Sequence, residues 1–187
     1  GSAGVFTASA TEKVAGGGAG AKTNKGTESG EAGWSSYFIE KTLGPILMIG
    51  YEYSPDSMDS DTVETAKIDK TDDSTTSVVS TNTVKVTFEN ITSAYVGVRY
   101  EGFYAKAGTV SVDLLTKENL ETGSTYGNAT IDGTMMGFGH NKTFGNGVFV
   151  RAEGVYMDFD SLSLTSSANG NVIKMGNLDG VSAKLAV

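Results

Sequence analysis

Nine charged side chains stand on the polar faces of strand-like stretches: Glu52, Lys85, Glu89, Arg99, Glu101, Lys106, Arg151, Glu153 and Lys184. Acids and bases mixed in this way have two uses. Gathered in a dry interior they neutralise one another, because an isolated buried charge costs several kcal/mol. Spread along a watered path they line a route for small polar solutes. Other chemistry has less to work with. The chain has no cysteine, hence no thiolate nucleophile and no Cys-based metal or iron–sulfur site. His140 is the single histidine. No Gly-x-Ser-x-Gly elbow exists to pair with it, so it is expected in a lumen or at a rim and no catalytic residue is assigned. "YSPDSMDSDTVETAKIDKTDDSTT" is rich in carboxylates. Asp56, Asp59, Asp61 and Glu64 are oxygen ligands of the kind that hold Ca²⁺ or Mg²⁺ weakly. The glycine and bidentate glutamate of an EF-hand are absent, and a solvated acidic loop is the simpler reading. No other cofactor is expected.

The elements that position these residues are strands. Gly is frequent, at 25 of 187 residues, Pro occurs twice, and period-two alternation outweighs any helical period. Eight strands are expected, near 5–14, 33–43, 46–54, 83–100, 103–115, 130–144, 147–164 and 172–187, in a single domain over 1–187. Connections alternate between long and short. "LGP", "YEGF" and "FGNG" are tight, and Asn146-Gly147 suits a hairpin turn. Residues 15–30, 55–82, 116–128 and 165–171 form long polar loops. In an up-and-down barrel this alternation puts all short turns at one rim and all long loops at the other. An even strand count puts both ends of the chain at the short-turn rim.

Each strand has an apolar and a polar face. In "TVKVTFENITSAYVGVRY" the even positions from Val84 to Tyr100 form one face, apolar or small for most of its length, against Lys85, Glu89 and Arg99. Leu47, Ile49, Tyr51 and Tyr53 oppose Met48, Gly50 and Glu52. Val148, Val150, Ala152 and Tyr156 oppose Arg151 and Glu153. Two phases slip: Phe103, Ala105 and Ala107 give way to Val110, Val112 and Leu114, and after Gly154 the apolar positions become Val155, Met157 and Phe159. A bulge, or emergence of the strand above a membrane, accounts for the second slip. A membrane barrel turns its apolar face to lipid and its charges to the lumen, and must close so that no backbone group is left unpaired in hydrocarbon. Trp34, Tyr37, Tyr53, Tyr100, Phe103, Tyr104 and Phe144 are candidates for interfacial girdles. No stretch of about 18 apolar residues is present to form a spanning helix. The net charge of −8 disfavours nucleic acid and an anionic membrane surface as partners. Gly1 opens on strand-like sequence without a signal peptide, as expected of a mature or trimmed chain.

On these features, and on "GPILMIGYEYS", "YVGVRYEGFYAKAG", "GVFVRAEGVYMDF" and "GVSAKLAV", the chain resembles the small eight-stranded outer-membrane β-barrels of Gram-negative bacteria. The resemblance implies an all-β, closed, antiparallel, up-and-down transmembrane barrel in the outer membrane, with periplasmic termini. It also implies lipid and lipopolysaccharide around the barrel, and an extracellular partner at the loops. Such barrels usually end on an aromatic residue, where this chain has Val187. The family spans many activities, so function rests on the site. The first expectation is a non-enzymatic barrel with long acidic external loops and a structural or surface-interaction role. A narrow porin-like channel for small polar solutes is the second. A soluble lipocalin-like ligand-binding barrel is the third. An eight-stranded barrel is just wide enough for side chains to fill, which favours a plugged lumen.

Overall fold

A computed structural model describes residues 1–13, 23–60, 63–70, 77–119, 125–168 and 170–187. The described residues form one antiparallel sheet of twelve strands. They are β1 (Ser2–Lys13), β2 (Thr23–Trp34), β3 (Tyr37–Leu43), β4 (Leu47–Ser54), β5 (Met58–Asp59) and β6 (Val63–Lys70). The remainder are β7 (Ser77–Tyr100), β8 (Phe103–Asn119), β9 (Ala129–Thr143), β10 (Phe149–Phe159), β11 (Leu162–Thr165) and β12 (Val172–Ala186). The twelve make eight staves. β4, β5 and β6 run in succession along β7. β10 and β11 run in succession along β12. β2 and β3 are one line broken at Ser35 and Ser36, the first half pairing β1 and the second β4.

The sheet order runs β2-β1-β12-β10-β9-β8-β7-β4-β3, so its two ends are consecutive pieces of the chain. The sheet therefore returns on itself. Its register shows the stagger of the ring. Ile39 pairs Tyr51, and the partners then run Ala94, Thr109, Thr134, Asp158, Asp179 and Thr7 to Ser29. The circuit leaves its starting stave at residue 39 and rejoins it at residue 29, a shear of ten residues. Ten is even, so a side chain pointing outward still points outward after a full turn. Eight staves with this stagger tilt by about 40°. The three tight turns each seat a glycine at positive φ, at Gly44, Gly102 and Gly147.

The barrel has two storeys of opposite polarity. Toward the short turns the outward face is apolar: Tyr37 is 72%, Ile39 73% and Tyr100 74% exposed, with Val96, Phe138, Val181 and Leu185 also bare. The inward face there is charged. Toward the long loops the inward face is apolar, with Ile91, Val110, Val112, Leu114, Ile131, Met135, Val155, Met157, Phe159 and Leu178 buried in one cluster. The outward face there carries Asp113, Asp132, Thr134, Asp158 and Asp179. The two phase slips in the sequence thus need no bulge. In β8 and β10 the side chains alternate without interruption, and only the solvent each face prefers is exchanged.

A true bulge occurs in β7. Between Glu89 and Thr92 the register shifts, and Asn90 takes φ +53°, a conformation Asn tolerates. Below it Ile91, Ser93 and Tyr95 face inward; above it Val86 and Phe88 pack against the core. The even positions from Val84 to Tyr100 therefore do not share one face. Trp34 and Tyr104, expected in girdles, point inward and are buried. The strands also exceed expectation at the loop end. β2, β5, β6 and the start of β7 lie where residues 15–30 and 55–82 read as loops.

Candidate functional site

Within the lower storey three carboxylates and three cations meet. Lys106 Nζ lies 2.9 Å from Glu153 Oε1 and 3.6 Å from Glu52 Oε2. Lys184 Nζ lies 2.6 Å from Glu52 Oε2 and 3.1 Å from Glu153 Oε1. Arg151 donates from Nη1 and Nη2 to the two oxygens of Glu40, at 2.7 and 2.5 Å, and from Nε to Asn141 at 2.7 Å. Tyr95 donates to Glu40 at 2.8 Å, Ser36 to Glu52 at 2.7 Å, and Tyr104 to Glu153. The guanidinium also lies over the rings of Phe38 and Tyr104, 4.4 and 4.8 Å from their centroids, a stabilising arrangement for a desolvated cation. Lys106, Arg151, Glu153 and Lys184 are each at most 5% exposed.

These contacts span the barrel. β3 and β10 are five strand steps apart along the sheet order, about 24 Å on a flat sheet, yet Arg151 and Glu40 touch. Glycines make the fit possible. A Cβ at Gly50 would collide with the Tyr95 ring, and one at Gly139 with that of Tyr104. With three charges of each sign the network is neutral, and each buried charge has a partner.

Five expected members, Glu52, Lys106, Arg151, Glu153 and Lys184, converge here. Four lie elsewhere. Lys85 and Glu89 stand above the Asn90 bulge, which turns them outward; Lys85 pairs with Asp59 at 2.6 Å. Arg99 is exposed at the short-turn rim, donating to Thr42 at 3.0 Å. Glu101 sits in the adjoining turn with φ +48°. Glu40 was missed, although Tyr37, Ile39 and Leu43 flank it with outward apolar side chains. That alternation was the available signal. Tyr95 and Tyr104 read as apolar positions and gave none.

The expected cation ligands are engaged or lie outside the described residues. Asp56 Oδ2 accepts from Ser35 N and Ser35 Oγ, both at 2.6 Å. Asp59 accepts from Thr87 at 2.6 Å as well as pairing with Lys85. Asp61 and the Glu64 side chain are outside the described residues. Among the described residues no group of three His, Asp or Glu side chains is placed to hold a metal. His140 is on the outward face, edge-on to Phe103 at 4.6 Å between centroids.

Asp56 clasps the point where the second stave changes partners. The two donors from Ser35 hold its carboxyl below the ordinary value. A lowered folded-state value means the clasp stabilises above the unfolded carboxyl's titration and is lost as pH falls through the folded one, below about pH 4. Asp56→Ala is expected to speed exchange of the Ser35 amide severalfold at pH 7. It should also remove the loss of protection at that amide expected in the parent chain as pH falls through the folded value, as read by hydrogen-exchange protection factors.

Fold and interior together define an eight-stave antiparallel β-barrel with an ion-paired lower lumen, an apolar upper lumen and an apolar outer belt. No family model matches the chain, and no curated protein matches it. Among solved structures it is similar to Ail, the attachment invasion locus protein of Yersinia pestis, in a crystal structure with the heparin analogue sucrose octasulfate. That likeness covers 99% of this chain and 98% of that one, at 10% identity and a TM-score of 0.32. At that distance it says nothing of what this chain binds.

Proposed function

We propose that the chain is a non-enzymatic, non-conducting barrel of a bacterial outer membrane, which seats its lower storey in lipid and displays its upper storey and long loops outside. The carrying observation is the reversal of polarity between storeys. The outward apolar run from Val148, just before β10, to Tyr156 within it spans eight steps, a rise of roughly 21 Å at the barrel tilt, against about 25 Å for the apolar band of such barrels. Tyr37, Tyr53 and Tyr156 edge the belt above, and Tyr100, Phe103 and Phe144 edge it below, where interfacial aromatics belong. In this orientation Gly1 and Val187 are periplasmic and the loops meet lipopolysaccharide and any external partner.

The interior favours a structural or display role over a channel. A solute entering past the neutral ion network meets a cluster of aliphatic, methionine and aromatic side chains that fills the barrel above it. A lipocalin-like reading fits the upper storey alone, since the lower one has its apolar side chains outside.

Reconstituted into bilayers, the protein is expected to migrate differently on SDS gels before and after boiling, and to stay electrically silent in planar membranes. Steady single-channel steps would favour the porin-like channel. Monodisperse behaviour in plain buffer would favour the soluble barrel.

A further inference from the structure

The charges on the outward face are unevenly divided between the two ends of the belt. At the loop end acids outnumber bases, with Asp113, Asp132, Asp158 and Asp179 against Lys85 and Lys174. At the short-turn end they are basic, with Lys41 and Lys142 exposed on the belt's lower edge, and Arg99 stands exposed at the mouth in phase with the inward face. Glu101 is the acid among the described side chains of that rim. We propose that the short-turn rim docks anionic phospholipid headgroups, an inference that rests on the membrane reading above.

The outward aim of the two lysines is fixed from within. Glu40, the residue before Lys41, is held inward by Arg151, and Asn141, the residue before Lys142, accepts from Arg151 Nε. A strand cannot turn one side chain in without turning the next out. Neither lysine has a carboxylate within ion-pair distance among the described residues. Lys142 Nζ is 5.8 Å from the Phe144 ring centroid, which places the ammonium beside an interfacial aromatic, within reach of a headgroup. β3 and β9 are four steps apart in an eight-stave ring, so the lysines serve opposite sides of the lipid annulus. The net charge of −8 hides this, because the acids gather at the other boundary and in the loops.

The test uses spin-labelled phosphatidylglycerol and phosphatidylcholine in phosphatidylcholine bilayers holding the full chain. Phosphatidylglycerol is expected to be enriched roughly two- to fivefold in the motionally restricted lipid at low salt. The enrichment should fall to parity at 1 M salt, where screening reaches about 3 Å, and in the Lys41→Gln/Lys142→Gln double variant. Lys174→Gln, near the loops, should leave it unchanged. Equal association of both lipids with the parent chain overturns the proposal, as does full enrichment in the double variant. A parent chain that folds but restricts no lipid at all refutes the membrane reading itself, and this inference with it.

Discussion

Glu153→Ala is expected to destabilise the folded barrel by about 3–5 kcal/mol, the cost of stranding a buried charge partner. The carboxylate serves Lys106, Lys184 and Tyr104 together. Without it two cations share Glu52, at 3.6 and 2.6 Å, and repel one another in a site that excludes water. The loss should not be mistaken for the net worth of the pair. A Glu153→Leu/Lys106→Met double variant removes one charge of each sign and leaves Lys184 with Glu52. It is expected to recover most of the stability, because well-packed apolar side chains replace buried ion pairs at little cost. Urea unfolding in vesicles, followed by the gel mobility of the folded form, measures both. A double variant as unstable as the single one would mean that shape, rather than charge balance, is what the site requires.

Arginine placed along the outward face of β9 is expected to map the edge of the membrane. At Met136 and Phe138 it should cost about 2–4 kcal/mol, and at Thr134 and Asp132 at most about 1 kcal/mol. All four positions point outward on one uninterrupted strand, so backbone propensity and packing differ little among them. The surrounding solvent is the principal difference. If β9 stood wholly in water, Met136→Arg and Thr134→Arg would be nearly equivalent. The step between residues 134 and 136 thus tests the two-storey reading independently of any channel or lipid assay.

Much of the ring was legible because a barrel wall with unlike surroundings on its two faces imposes alternation on every stave. Phe103 to Leu115 and Val172 to Val187 stood out for that reason, and the short turns announced themselves through Gly44, Gly102 and Asn146-Gly147. β2 did not. Its "TNKGTESGEAG" has no apolar face, being held by backbone pairing to β1 above the belt. β6 was hidden in the same way within an acidic stretch. The interior was half legible. Five network members follow from alternation alone, but the fate of Lys85 and Glu89 turns on one left-handed residue, Asn90, whose type permits the bulge without requiring it. Glu40 had a readable pattern around it. The roles of Tyr95 and Tyr104 depend on glycines in neighbouring strands, Gly50 and Gly139, a relation visible only once the register is known.

The balance of three carboxylates against three cations has an electrical consequence. An electric field across a bilayer does work in proportion to the net charge it displaces, about 2.3 kcal/mol per elementary charge per 100 mV. Here the sum is zero, and the six groups lie close together in the same storey. Moving the cluster as a body would couple to voltage hardly at all, so this network supplies no gating charge.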